Sequence, residues 1–377
     1  MLDKHEKPTL LLDARPLDGG QNGIARVVSM LVRELPALVR ARIILLSNRA
    51  VVLEAPIESV EVHEDLAWSH IPGNLWLTLR VPYLLRKMNA THFFGTQHLL
   101  PMIRTVGVHY GVLMHDIVHI KFPDSMKWSN RLSSQILFSR SYRIADSIVA
   151  VSNTTRQDLQ DALGYRDITV AYPGLDSSRF TAKNTRRKHN DTPRLLYVGS
   201  LDPRKNLTAL LDVFEFLNQK SRVIDLVICS GNQWQAGALL SRIDSYSGFG
   251  KLALLRNVSD AELAQHLHDA DALVFPSKYE GFGLPLLEAA GRTEIIANDI
   301  PVFRELSDYI SGIEFVDFSA SPADIAQQFN NALMRCMNKE GTELTDPMRF
   351  SWRQFAKGIA RALAIDAKND QVLDIQG

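Results

Sequence analysis

With 377 residues and 46% hydrophobic side chains, the chain has enough apolar material for two domains with full cores. Its 42 basic residues balance 42 acidic ones, so no global field draws it to nucleic acid. Only two cysteines, Cys229 and Cys336, and no His/Cys cluster at zinc spacing exclude a disulfide framework and a structural metal; the charged N-terminus and the lack of a long apolar run lead to the expectation of a cytoplasmic protein.

In chain order, Thr9-Leu10-Leu11-Leu12-Asp13 reads as a parallel strand. A glycine-rich turn, Gly19 through Gly23 to Arg26, leads into an amphipathic helix over about 27–38. The turn does not match the dinucleotide fingerprint, which argues against a nicotinamide cofactor. Strands are expected at 42–46, 92–95 and 108–114, strand and loop over 51–66, and a helix over 76–88 interrupted near Pro82. The strand at 108–114 ends in His115-Asp116, a polar pair at a strand's carboxyl end, where open α/β sheets bind ligands. The segment 121–143 then carries Lys121, Lys127, Arg131, Arg140 and Arg143 against one acid, Asp124, interleaved with Phe122, Trp128, Ile136, Leu137 and Phe138. Two readings stay open there: a solvated face over a core stripe, or a helix lying on an anionic membrane surface. A strand at 146–152, a helix at 153–163 and a strand at 168–172 complete the first half, and the polar run 181–193 has linker composition.

The second half starts over. A strand at 194–199 runs into the loop Ser200-Leu201-Asp202-Pro203-Arg204-Lys205 and a helix expected to be capped by Asn206. Further strands fall at 226–230, 251–255, 272–275 and 295–297, so both halves alternate strand and helix and predict two doubly wound parallel sheets. After Phe275, the stretch Pro276-Ser277-Lys278-Tyr279-Glu280-Gly281-Phe282-Gly283-Leu284-Pro285-Leu286-Leu287-Glu288 lies between a strand's carboxyl end and a helix's amino end. Helix amides there favour an anion, Gly281 and Gly283 allow close backbone approach, and Glu280 and Glu288 can face the hydroxyls of one ligand. Phosphate near amides and hydroxyls near carboxylates point to a sugar nucleotide. A closing helix over 351–364 sets Trp352, Phe355, Ile359 and Leu363 on one face and is expected to pack back across the first domain. The domains are placed at 1–185 and 186–350, with 351–377 as the returning segment.

These residues resemble the retaining, nucleotide-sugar-dependent glycosyltransferases of family 4, which have the GT-B fold of two Rossmann-like domains facing a cleft. Tyr197-Val198-Gly199-Ser200-Leu201-Asp202-Pro203-Arg204-Lys205-Asn206 is similar to the family's diphosphate loop, 275–288 to its two-glutamate motif, and Asn298-Asp299-Ile300-Pro301-Val302-Phe303-Arg304-Glu305 to the segment that follows. The wording is closest to members that add mannose during O-antigen and exopolysaccharide assembly. The resemblance implies Lys205, with Arg204, against the donor diphosphate; Glu288 at the nucleotide ribose; Glu280 at the sugar's hydroxyls and reacting face; and backbone contacts from Gly281, Phe282 and Gly283. It implies donor-side roles for Gly23 and Ser200 and sugar contact by His115. With Lys205, Arg204 and helix amides as the positive field, no metal or other cofactor is expected, and the basic segment 121–143 leads to the expectation of a lipid-linked saccharide acceptor at the inner face of the cytoplasmic membrane. Ser200 stands where the family often has arginine, so Arg204 or a first-domain group is expected as the second cation. The segment 289–295 lacks the family's Gly-Pro turn. The competing reading is a non-catalytic sugar-nucleotide-binding or scaffold protein of a polysaccharide-assembly complex.

Overall fold

The structure, a computed structural model, describes residues 7–20, 22–123, 128–175, 192–220, 222–231, 237–338 and 341–367, without the side chains of 128–134. The chain forms two compact units, one of residues 1–174 and 348–377, the other of 175–347. The expected boundary at 185/186 falls in 176–191, outside the described residues.

The first unit begins with β1 (Thr9–Asp13), α1 (Gly23–Leu38), β2 (Arg42–Ser47) and β3 (Val60–Glu64). Next come α2 (Gly73–Leu79), α3 (Val81–Lys87), β4 (His92–Gly95), β5 (His109–Met114), α4 (Val118–Lys121) and α5 (Trp128–Ile144). β6 (Ser147–Ala150), α6 (Asn153–Leu163) and β7 (Thr169–Val170) follow. All seven strands are parallel in the order β3-β2-β1-β4-β5-β6-β7. β1 is buried at every position, as a strand covered on both faces must be, which is why it reads as an unbroken apolar run. α1 starts at Gly23 rather than near 27, because the Asn22 side chain accepts from the Ala25 amide at 2.9 Å and caps it.

In the second unit β8 (Arg194–Val198), α7 (Leu207–Lys220), β9 (Asp225–Cys229), α8 (Gly237–Asp244), β10 (Leu252–Leu255) and α9 (Asp260–Asp269) precede β11 (Ala272–Phe275). Then come α10 (Leu284–Ala289), β12 (Glu294–Asn298), α11 (Pro301–Ser307), β13 (Ile310–Ser311), β14 (Glu314–Val316), α12 (Pro322–Met337) and β15 (Glu343–Leu344). Six parallel strands run β10-β9-β8-β11-β12-β14, and β13 pairs with β15 antiparallel. Strand order therefore reverses between β1 and β4 in one sheet and between β8 and β11 in the other, the points where parallel α/β sheets open a ligand crevice.

The last helix, α13 (Trp352–Ala362), belongs to the first unit. Its apolar side, Trp352, Phe355 and Ile359 with Leu363 just beyond, is buried. The Arg40 amide donates to the Asp366 carbonyl at 3.0 Å, tying the segment to the end of α1. Gly111, in the middle of β5, leaves the space that Leu363 fills: a Cβ there would stand 2.4 Å from Leu363 Cδ2 and 2.9 Å from Phe94 Cδ2. Gly111→Ala is expected to destabilise by about 1–3 kcal/mol through overpacking, read as a lowered Tm. Leu363→Ala in the same chain should relieve part of that loss; strictly additive effects of the two changes would separate the positions.

Candidate functional site

Two loops leave the second sheet at its switch point, one after β8 and one after β11. The first is built on Tyr197, whose buried hydroxyl donates to the Ser200 carbonyl at 2.7 Å. Asp202 then accepts from the Arg204 amide at 2.9 Å and opens a single 3-10 turn, Pro203–Lys205. Asn206 ends that turn in the left-handed conformation, φ 57. It thus lacks the extended geometry of the helix cap expected of it, and its backbone carbonyl accepts from Ala209 at 3.1 Å.

This turn brings both cations to the second loop. Lys205 Nζ lies 2.5 Å from Glu280 Oε1, and Arg204 Nη1 3.2 Å from Glu280 Oε2. Lys205 also stands 5.3 Å from the centre of the Phe275 ring. The backbones are joined as well, the Lys278 amide donating to the Arg204 carbonyl at 2.8 Å. From behind, Asn298 at the end of β12 donates from Nδ2 to the Ser277 carbonyl at 2.9 Å, while its Oδ1 accepts from the Asp299 and Phe318 amides at 3.0 and 3.1 Å. Side-chain exposures of 9% for Glu280, 13% for Lys205 and 17% for Arg204 take this triad out of the weak class of surface ion pairs. Burial by itself would raise the Glu280 carboxyl, but the charges of Lys205 and Arg204 and the hydrogen bond from Lys205 hold it below its ordinary value.

Gly283 opens α10 at φ 117, a conformation strained for any side chain, and a Cβ there would meet Phe303 at 3.1 Å. α10 spans six residues, under two turns, so its dipole is small beside two full charges. Of the groups expected to supply positive charge here, the two side-chain cations therefore outweigh the helix amides. Gly281 and buried Phe282 lie between Glu280 and Gly283. Glu288, 5% exposed, sits in the last turn of α10, where Arg292 Nη1 donates to its carbonyl at 2.9 Å. The short turn after α10 closes at Gly291, φ 75, whose amide donates to the Thr342 carbonyl at 2.9 Å.

At the first unit's switch point three strand ends are linked. Thr96, just past β4, donates from Oγ1 to the Asp13 carbonyl at 2.7 Å, and His115 Nε2, just past β5, bonds the Thr96 carbonyl at 2.8 Å. A carbonyl only accepts, so Nε2 carries the proton and Nδ1 is the acceptor of the neutral ring. Burial lowers the His115 pKa, the Thr96 carbonyl and Asp116 opposing it. His98, at φ 65, stands edge-on to His115 with ring centres 5.2 Å apart, and burial pushes it down to about 3. Arg15 forks onto Asp13 with bonds of 2.8 and 2.7 Å, both side chains buried. Gly23 is the first residue of α1, with open space where a Cβ would be.

Of the residues singled out by sequence, the structure joins Arg204, Lys205 and Glu280 directly, with Arg204 and Lys205 as two cations on one carboxylate. Ser200 contributes its carbonyl to the loop's brace. Asp13, Arg15 and Thr96 are not among the site residues expected from sequence, and Asn298 enters there only as the first residue of the segment 298–305, although Asp13, Thr96 and Asn298 end or follow buried strands as His115 does. In the basic segment, Phe138 is buried, Ile136 is 54% exposed and Arg140 donates to the Met102 carbonyl at 2.8 Å. The side chains of Asp124, Lys127, Trp128 and Arg131 lie outside the described residues. Among the described residues no group of three or more His, Cys, Asp and Glu is placed to hold a metal ion, and no helix is long and apolar enough to cross a membrane.

Two parallel-sheet α/β units of this topology define a GT-B fold. Solved structures share it: WaaG, a glycosyltransferase involved in lipopolysaccharide biosynthesis, matches with a TM-score of 0.65 at 15% identity over 94% of this chain and 95% of that one. HepE from Anabaena, in complex with UDP-glucose, matches with a TM-score of 0.67 at 16% identity over 95% of this chain and all (100%) of that one. The family description "Glycosyltransferase Family 4" matches residues 21–179 and "Glycosyl transferases group 1" residues 178–340, so the chain belongs to the family 4 glycosyltransferases. It is 26% identical over 408 residues to the serotype-specific mannosyltransferase WbdA of Escherichia coli, covering 97% of this chain and 47% of that protein. It is 30% identical over 236 residues to the O-antigen chain mannosyltransferase RfbU of Salmonella typhimurium, covering 61% of this chain and 62% of that protein. The chain thus spans less than two thirds of the length of either relative.

The triad makes stability depend on pH. Because the folded Glu280 pKa is depressed, its contribution is fully present above the unfolded value of about 4.3 and is lost as pH falls through the folded value. Glu280→Gln leaves two cations facing a neutral amide and is expected to cost about 3 kcal/mol near neutral pH by urea denaturation. The gap to wild type should narrow as pH falls below the unfolded value and close once the folded Glu280 is itself protonated; a gap unchanged with pH would show that Glu280 is not held ionised.

Proposed function

We propose that this protein is a retaining glycosyltransferase that moves a hexose, mannose from GDP-mannose, onto a lipid-linked saccharide acceptor in cell-surface polysaccharide or lipopolysaccharide assembly. The observation that carries this reading is the convergence of Arg204 and Lys205 on one carboxylate at the switch point. Two cations held by a single exchangeable anion suit a diphosphate, whose oxygens gain negative charge as the bond to the anomeric carbon breaks. When the donor enters, its phosphates compete with Glu280 for the two cations, and the displaced carboxylate turns to the hydroxyls of the sugar. Glu288 takes the ribose, while Gly281, Phe282 and Gly283 offer backbone to sugar and phosphate. On the first unit, His115 is the proposed sugar ligand, its ring held in orientation by the Thr96 bond, and Gly23 leaves the start of α1 open. The acceptor oxygen bonds to the anomeric carbon as the bond to the diphosphate breaks, its proton passes to an oxygen of the departing nucleoside diphosphate, and configuration is retained.

With two fixed cations on the leaving group, the reaction needs no divalent metal. Mannose as the sugar is supported by the printed names of the relatives WbdA and RfbU. A nucleotide-sugar donor supports work on the cytoplasmic side of the membrane.

The test is transfer from labelled GDP-mannose to a mannose-terminated acceptor, with the product anomer read by NMR. Retained configuration and full activity in chelator are expected. Lys205→Ala and Glu288→Gln should each lower kcat/KM by about 100-fold or more with the fold intact. Donor binding without transfer to any acceptor would favour the non-catalytic reading instead.

A further inference from the structure

We propose that the exposed apolar stripe of α2 and α3, with the loop at 103–106, is a docking surface for an anionic lipid bilayer. Leu75, Leu79 and Tyr83 are 53%, 63% and 49% exposed and recur every four residues. Arg80, between the two helices, keeps right-handed helical backbone, its carbonyl accepting from Leu84, so the three side chains share one face across the junction. The opposite face, Trp76, Leu77, Val81, Leu84 and Leu85, is fully in the core, so the stripe is surplus to folding. The neighbouring loop adds Ile103 and Val106, 61% and 98% exposed, and is fixed to α3 by Thr105 Oγ1, which donates to the Pro82 carbonyl at 3.4 Å. Val106 beside Gly107, φ 81, makes an apolar tip. Isolated exposed apolar residues need no explanation, but five on three adjoining elements do.

Charge selects the occupant. No Asp or Glu occurs between residues 66 and 115, a stretch with Arg80, Arg86, Lys87 and Arg104. Within it Arg80 pairs with the preceding Asp65 at 3.0 Å and Arg104 with Asp146 at 2.6 Å; the following carboxylate is Asp116. Exposed Arg86 and Lys87 on α3, and Arg140 at the Met102 carbonyl, remain to set the sign of the surface. Apolar side chains with a basic margin and aromatic rings at the edge, Tyr83 and Trp68 both stacked on Arg80, fit the boundary of an anionic leaflet. A second copy of the chain fits less well, since a two-fold contact would set the same cations against each other. The inference rests on the reading that the acceptor is lipid-borne, and it concerns a surface separate from the donor site.

Flotation of the full chain with phosphatidylcholine vesicles, with and without phosphatidylglycerol, tests it. Wild type should float with the anionic vesicles about tenfold more than with neutral ones and be released by high salt. Leu79→Glu with Val106→Glu should lower flotation by about tenfold at unchanged Tm, and Val106→Glu alone, at a loop tip, should shift it the same way. Arg86→Gln with Lys87→Gln should reduce the preference for phosphatidylglycerol, whereas Tyr165→Glu, exposed elsewhere on this unit at 84%, should change nothing. Equal flotation of wild type and the Leu79/Val106 variant, or a concentration-dependent dimer in sedimentation that the same variant dissolves, overturns the proposal. Transfer to a water-soluble acceptor, measured in parallel, reports on the donor chemistry alone, so failure of docking and failure of the proposed function are distinguishable.

Discussion

One carboxylate between two cations organises the second unit's site. Glu280 is nearly buried, and it stays ionised only because Lys205 and Arg204 reach it from a different loop. That demand accounts for much of the surrounding architecture: the left-handed Asn206 that ends the cation-bearing turn, the Tyr197 hydroxyl under Ser200, and the Asn298 amide that grips the Ser277 carbonyl. Each fixes backbone, because a charge held away from water tolerates little misplacement of its partners.

Much of this is legible in the residues themselves. Apolar runs bounded by turns predict the strands, and the strand end at Phe275 with Pro285 at a helix start places the second loop between them correctly. Spacing likewise reveals the buried side of α13. What spacing does not carry is the meeting of elements distant in sequence. Glu280 and Lys205 are both visible as ligand groups, but nothing local says that they neutralise each other, 75 residues apart. Asn298 looks like an ordinary strand end until its Nδ2 is seen on the preceding loop. Asn22 was within reach, since a capping residue ahead of an apolar repeat moves the start of α1 to Gly23.

The first unit shows a different economy. At its switch point the groups are satisfied inside the fold: Arg15 on Asp13, Thr96 on the Asp13 carbonyl, His115 on Thr96. These bonds set the ring of His115 before anything binds, whereas the ion pairs of the second unit must be exchanged for a ligand's. Preorganised internal contacts on one sheet and an exchangeable counter-ion on the other are complementary ways of managing buried polar groups.

The returning α13 also bears on how the chain comes off the ribosome. The first sheet and α1 are synthesised early, but the helix whose Leu363 fills the space over Gly111 emerges only after the entire second unit. Burying Trp352, Phe355, Ile359 and Leu363 is worth about 2 kcal/mol each, a sum comparable to the whole net stability of a domain. Until residue 363 is out, the first unit carries an uncovered apolar face while its successor is already able to fold. Nascent chains halted between 174 and 348 are therefore the species that most need shielding by chaperones, and slow translation through that interval prolongs the exposure.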